Sequence, residues 1–123
     1  MKETLISFET AKLAKEKGFL SQGYINAFYD IQNGTLYVNQ LVYEDEWSVL
    51  APTQQFLVEW FWLEHEIWIS VKLDFNYGQF DYKIQRKNKN GKWYTAKRSN
   101  YCGRNKKPSL VLEEGLFEAL KLL

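Results

Sequence analysis

The chain has one cysteine, Cys102, and one histidine, His65. A lone thiol excludes an intramolecular disulfide framework and suits a reducing compartment. The pair cannot supply the ligands of a His/Cys zinc site within one chain. Glu64-His65-Glu66 lacks the second histidine of the metalloprotease pattern, so His65 reads as a helix-end residue complementing the last carbonyls. Cys102 stands near Arg98, Arg104 and Lys106, cations that favour a thiolate. Nothing in the sequence brings His65 to it or supplies a third, orienting group. The segment 102–107 has one glycine and three basic residues without phosphate-loop spacing, which leaves at most an unspecialised anion site. No apolar run is long enough to span a bilayer, and no signal-peptide-like block opens the chain. These absences point to a soluble, cytoplasmic, non-enzymatic protein with no catalytic residues, metal or cofactor.

The most informative absence is of negative charge. No acidic residue occurs from Tyr82 to Leu112, whereas ten of the sixteen Lys and Arg residues lie between Lys83 and Lys107. Residues 1–81 carry a balance of −7 and residues 82–123 one of +8, so the net +1 conceals a polarised chain. A cationic surface interleaved with aromatic rings attracts partners bearing phosphates or carboxylates.

At 123 residues the chain fits a single domain, 1–123, able to bury a core unaided. Ser7 offers a side-chain acceptor to the first amides of a short helix through Lys17, with Phe8, Ala11 and Ala14 buried and Gly18 at its stop. Asn33-Gly34 predicts a type I′ turn between strands over 24–31 and 35–43. The cluster Glu44-Asp45-Glu46 reads as a solvated edge, since consecutive carboxylates do not converge on a metal by themselves. Pro52 and Thr53 open a helix to about Glu64. Phe56, Leu57, Trp60, Phe61 and Leu63 form its apolar face, and Trp62 lies off-centre.

Ile67, Ile69, Val71, Leu73 and Phe75 then alternate with Trp68, Ser70, Lys72 and Asp74, the period of a half-buried strand. Tyr77-Gly78 turns the chain into a strand over 79–88, where Phe80, Tyr82 and Ile84 continue one face. Asn90-Gly91 turns it again into 92–98. After a basic loop over 99–107, Ser109 caps a helix reaching almost to Leu123. Its apolar arc holds Leu112, Leu116, Ala119, Leu120 and Leu123. Gly115 suits a close approach to the sheet, and Glu113 and Glu114 complement the positive helix N-terminus. The expected fold is α+β, order αββ-αβββα. An antiparallel hairpin and a three-stranded meander carry three helices on one face. Residues 52–123 share the element order of a double-stranded-RNA-binding domain, a likeness of topology that carries no function by itself.

Three segments have a further likeness: LISFETAKLAKEKGF (5–19), APTQQFLVEWFWLEHEIWISV (51–71) and EEGLFEALKLL (113–123). Together they resemble a small protein family of Bacteroidota phages and prophages. The likeness covers both termini and the middle, while 20–50 and 83–107 are particular to this chain. It brings no catalytic residues. It implies a phage setting in the cytoplasm of an infected bacterium, where small accessory proteins bind nucleic acids, regulate, or inhibit host defence, some by sequestering nucleotide signals.

On strict alternation Lys83 and Lys87 share one side of their strand and Arg86 the other. Trp93 pairs with Lys97, and Tyr94 with Arg98. The cations thus fall into a hairpin tip, Lys87, Lys89 and Lys92, and a second group near the last helix, Arg98, Arg104, Lys106 and Lys107. Arg grips phosphate with two donors while Trp93, Tyr94 or Tyr101 stacks on a base. The expected partner is a nucleotide or a nucleic acid. Against this, Lys-rich strands also protect sheet edges from aggregation, and acidic residues 44–46 are available to neutralise them. The alternative is a protein–protein inhibitor acting on a host protein, or a homo-oligomeric module, using Trp62 and Trp68 as interface residues.

Overall fold

A computed structural model describes residues 4–19, 27–38, 46–99 and 106–123. Helix α1 (Phe8–Glu16) begins at Ser7, whose Oγ accepts from the Thr10 amide at 3.2 Å. Its buried face is Thr10, Ala11 and Ala14, with Phe8 only partly covered.

Strands β1 (Ala27–Asp30) and β2 (Leu36–Val38) form the expected hairpin. The turn is not type I′, which needs two successive residues at positive φ. Only Gly34 adopts one, +73°. The Gly34 amide donates to the Asp30 carbonyl and Asp30 Oδ1 accepts from the Gln32 amide, both at 2.8 Å, giving a four-residue loop. The Asp74–Gly78 loop repeats this arrangement: the Gly78 amide donates to the Asp74 carbonyl at 2.8 Å and Asn76 to Asp74 Oδ1 at 2.9 Å. An aspartate four residues before a glycine thus closes both. A third strand, β3 (Ser48–Leu50), is absent from the sequence expectation. It pairs with β1 to give a sheet of order β2-β1-β3. Three residues are too few to show a period.

Helix α2 (Gln54–His65) is capped by Thr53, whose Oγ1 accepts from the Phe56 amide at 3.1 Å. Its buried set, Gln54, Leu57, Val58 and Phe61, follows the i, i+3, i+4, i+7 rule. Leu63 lies off that stripe and is 76 % exposed, contrary to its expected place in the core. Glu66 ends the helix in the left-handed region, φ 52°, and turns the chain at once into β4 (Ile67–Asp74).

Strands β4, β5 (Gln79–Lys87) and β6 (Trp93–Arg98) form the antiparallel meander. Ile67, Ile69, Tyr82 and Ile84 are buried on its inner face, against α2 and α3 (Pro108–Lys121). Leu73 and Phe75 continue the alternation yet are exposed, because the helices cover only the part of β4 nearest α2. Helix α3 is entered through Lys107, with Pro108 in its first turn and no side-chain cap. The fixed φ of proline starts the helix, so Ser109 is not its cap. Ser109 instead offers its carbonyl to Gln54 Nε2 at 2.7 Å.

Two contacts seat α3. A Cβ built on Gly115 would lie 3.1 Å from Cβ and Cγ of Tyr82 and 3.3 Å from Cγ2 of Ile69. The Glu113 carboxylate accepts from the amide and hydroxyl of Ser7, each at 3.1 Å, and from Nε2 of buried Gln54 at 3.1 Å. It therefore ties the starts of α1 and α2 to α3 instead of serving the helix dipole. Glu114 is likewise used elsewhere, by Lys106. One cluster of buried side chains draws on all three helices and both sheets.

Gly115→Ala gains about 1 kcal/mol of helix propensity but meets a strand Cβ that cannot retreat. Overpacking costs about 1–3 kcal/mol, so a net loss of about 1 kcal/mol is expected in urea unfolding. Glu113→Ala removes three charge-assisted hydrogen bonds and is expected to cost about 2 kcal/mol or more by the same measurement. Unchanged midpoints would refute each assignment.

Candidate functional site

The meander has helices on one face only, and the residues of its outer face follow from the strand register. Between β4 and β5, Trp68 faces Gln85, Ser70 faces Lys83 and Lys72 faces Asp81. Between β5 and β6, Lys87 faces Trp93, Gln85 faces Thr95 and Lys83 faces Arg98. The last pair departs from strict alternation. The register slips by one between Ile84 and Gln85, leaving Ala96 unmatched as a bulge in β6. Trp93 and Arg98 consequently share the outer face, while Tyr94, opposite Arg86, and Lys97, opposite Ile84, share the inner one. The expected pairings of Trp93 with Lys97 and of Tyr94 with Arg98 are therefore both reversed.

At one end of this face three tryptophans meet. The left-handed turn at Glu66 folds α2 back onto β4 and brings Trp62 against both neighbours. Trp62 stacks on Trp93 with ring centroids 5.5 Å apart and planes 9° apart, and meets Trp68 edge-to-face at 5.6 Å. Each keeps between 40 % and 46 % of its surface exposed. Lys87 Nζ lies 5.4 Å from the Trp93 ring centroid and 3.6 Å from a Glu66 oxygen. Lys89 and Lys92 occupy the adjoining loop, both exposed. The two expected interface residues, Trp62 and Trp68, thus join one expected ligand residue, Trp93, and the basic tip.

At the opposite end, Lys72, Lys83 and Arg98 line an open recess of about 200 Å³ together with Asp74 and Asp81. Both carboxylates are engaged locally, Asp74 by the Asn76 amide and Asp81 by the Ser99 hydroxyl at 3.4 Å. Lys83 and Arg98 face one another with no ion-pair partner among the described residues. Like charges placed directly opposite are mutually unfavourable, which favours an anion between them, while Asp74 and Asp81 keep their negative charge in the same recess and limit the gain. Lys83 carries no role in the sequence expectation. Its signal is the strand period, which puts it on the side opposite buried Tyr82 and Ile84.

The remaining expected ligands are dispersed. Lys106 is paired with Glu114 and Lys107 lies exposed at the start of α3. Tyr94 sits on the inner face, 45 % exposed. Arg104 and Tyr101 lie outside the described residues, as do Cys102 and the acidic positions 44 and 45. Lys97 donates to Glu118 at 2.6 Å, which holds that carboxyl below its ordinary value against the opposing effect of partial burial. The same bond raises the Lys97 ammonium above its usual range. These inner cations are structural.

A larger groove, about 320 Å³, runs beside α1 and α3 and is lined by Glu9, Glu113, Glu114 and Glu118. Each carboxylate has a partner: Lys12 for Glu9, Ser7 and Gln54 for Glu113, Lys106 for Glu114, Lys97 and Lys121 for Glu118. Nearby Tyr29 donates to the Ile6 carbonyl at 2.7 Å, and its pKa is raised by burial and then by the Glu113 charge. The groove's carboxylates are thus spent on internal contacts. Among the described residues no group of three or more His, Cys, Asp or Glu side chains could hold a metal ion, and no helix is long and apolar enough to cross a membrane.

No protein-family model, curated protein or solved structure matches the chain.

A double-mutant cycle on Trp62→Ala and Trp93→Ala is expected to give a coupling of about 1 kcal/mol in denaturant unfolding, the size of an aromatic pair beyond its area. Additive losses would mean that the rings do not support one another.

Proposed function

We propose that the outer face of the β4–β5–β6 sheet binds a single-stranded nucleic acid without catalysing a reaction. Lys83 and Arg98 would neutralise phosphates, Lys87 would exchange its Glu66 partner for one, and the tryptophan cluster would stack on bases. The observation that carries this reading is the shared face of Trp68, Trp93, Lys83 and Lys87, to which the bulge adds Arg98. Aromatic rings beside a track of cations are what a flexible polyanion with exposed bases requires.

The spacing favours a polymer over a free nucleotide. Lys83 and Lys87 stand four residues apart on one strand, about 13 Å at strand geometry. A mononucleotide cannot reach the recess and the tryptophans together. Small-ligand sites are also enclosed and usually about 300–1,000 Å³, whereas the recess is open and about 200 Å³. The family resemblance supplies the setting of this proposal, an accessory protein in the cytoplasm of a phage-infected bacterium. A second reading, a protein-binding or self-associating module, is favoured by Leu63, which lies exposed one residue beyond Trp62. It uses the tryptophan end and has no use for the cationic one.

Fluorescence anisotropy with labelled oligouridylate, repeated across salt concentrations, tests the proposal. Lys83→Glu with Arg98→Glu is expected to lower affinity at least tenfold. It should also flatten the log–log salt dependence by about 1.4, at roughly 0.7 per lost single-strand phosphate contact. Both residues are on the surface, so the melting temperature should hold. Full affinity in the folded double variant would sink the nucleic-acid reading. Loss of a protein partner on Trp62→Ala or Trp68→Ala, with charge reversal tolerated, would establish the other.

A further inference from the structure

The meander has two edge strands, β4 and β6, and they differ. In β6 the bulge at Ala96 breaks the ladder, and Lys97 and Arg98 add two like charges. Both features discourage a further strand. Strand β4 has neither. Its eight residues pair with β5 without a register shift, and among the described residues no strand lies on its other side. Its only charged residues are Lys72 and Asp74, one of each sign. A regular edge of this kind offers a row of backbone amides and carbonyls to any strand that meets it.

The end of β4 far from α2 is also apolar where no helix covers it. Leu73, opposite Phe80 on the helix side of the sheet, is 40 % exposed. Phe75, next in the alternation, is 88 % exposed.

The order of these residues is self-complementary. A two-fold axis perpendicular to the sheet pairs β4 with a second copy in antiparallel fashion, and residues directly opposite then share a face. Centred on Ser70, the axis sets Asp74 against Glu66. Centred on Lys72 or Asp74, it sets a charge against itself. Centred on Val71, it sets Lys72 against Ser70 and Asp74 against Trp68, with no ion pair. Centred on Leu73, it sets Lys72 of each copy against Asp74 of the other, so the ion pair forms twice. Leu73 then meets itself and Phe75 comes to Val71. Lys72 has no ion-pair partner among the described residues, and the Asp74 carboxylate accepts from a loop amide, not from a cation.

We infer that the free edge of β4 pairs with the same edge of a second copy about a two-fold axis at Leu73, joining two three-stranded sheets into one. Backbone hydrogen bonds, two Lys72–Asp74 pairs and the burial of Leu73 and Phe75 hold the dimer. It calls on neither Trp62 nor Trp93 and does not depend on the nucleic-acid reading.

Sedimentation equilibrium of the full chain is expected to show a concentration-dependent species of twice the 14.6 kDa of one copy. Lys72→Glu turns both ion pairs into like-charge contacts, so the dissociation constant should rise about tenfold or more, whereas Lys72→Arg should change it by less than about threefold. Lys72 is exposed, so the circular dichroism spectrum should hold. In a Cys102→Ser background, Leu73→Cys should give a disulfide-linked dimer under mild oxidation, because directly opposite residues of an antiparallel pair lie within disulfide reach. Thr95→Cys, on the β6 edge, should not.

A chain that stays monomeric at every concentration, a dimer indifferent to Lys72→Glu, or equal cross-linking at positions 73 and 95 would overturn the β4 pairing. A dimer lost on Trp62→Ala but kept on Lys72→Glu would overturn it too, and would assign self-association to the tryptophan end.

Discussion

The extra residue in β6 decides which way the last part of the sheet faces. Side chains on a strand alternate, so a slip of one position exchanges every residue beyond it between the two faces. With Ala96 bulged, Lys97 turns to the helical side and reaches Glu118 on α3, while Arg98 turns outward beside Lys83. The outer face gains a cation and the α3 packing gains an ionic anchor from one local irregularity. Without it, Arg98 would point at the helices and Lys97 would join Trp93. One local irregularity thus adds Arg98 to the candidate site and turns Lys97 toward α3.

The strong polarity of the sequence translates into space only in part. Helix α3 brings Glu113, Glu114 and Glu118 back into the basic C-terminal third. Two of these bind Lys97, Lys106 and Lys121. Exposed pairs of this kind contribute little stability each, but they remove those cations from the pool open to a partner. Among the described residues, Lys83 and Arg98 remain at one end of the meander and Lys89 and Lys92 at the other, while Lys107 stands apart at the start of α3. A run of one charge sign along a chain is therefore a poor map of a charged surface until the register is known. Topology sorts the cations into anchors and contacts.

Most of the architecture is legible from period and punctuation. The alternation at Ile67 and Ile69, the burial of Leu57 and Phe61 on α2 and the Ser7 cap all act within a few residues, which sequence patterns record directly. The misses have physical causes of longer range. Strand β3 is held by pairing with β1, not by a pattern of its own. Leu73 and Phe75 keep the buried period where no helix lies over them. The bulge follows from fitting β6 to β5 while its alternation pattern runs on without a break, and that pattern alone puts Trp93 and Arg98 on opposite faces. Trp62 and Trp68 were visible as exposed aromatics, but their meeting with Trp93 depends on the turn at Glu66.

The contact between Ser7 and Glu113 joins positions 106 residues apart. Partners so distant along a chain close late, because the entropy of the intervening loop must be overcome first. On the ribosome, α1 emerges early and has to wait for α3 before the carboxylate can hold its first turn. Throughout that interval the side of β4 and β5 against which α3 packs lacks its cover. Nascent copies are then exposed to chaperones and to one another, and the speed of translation through the basic stretch sets how long that exposure lasts.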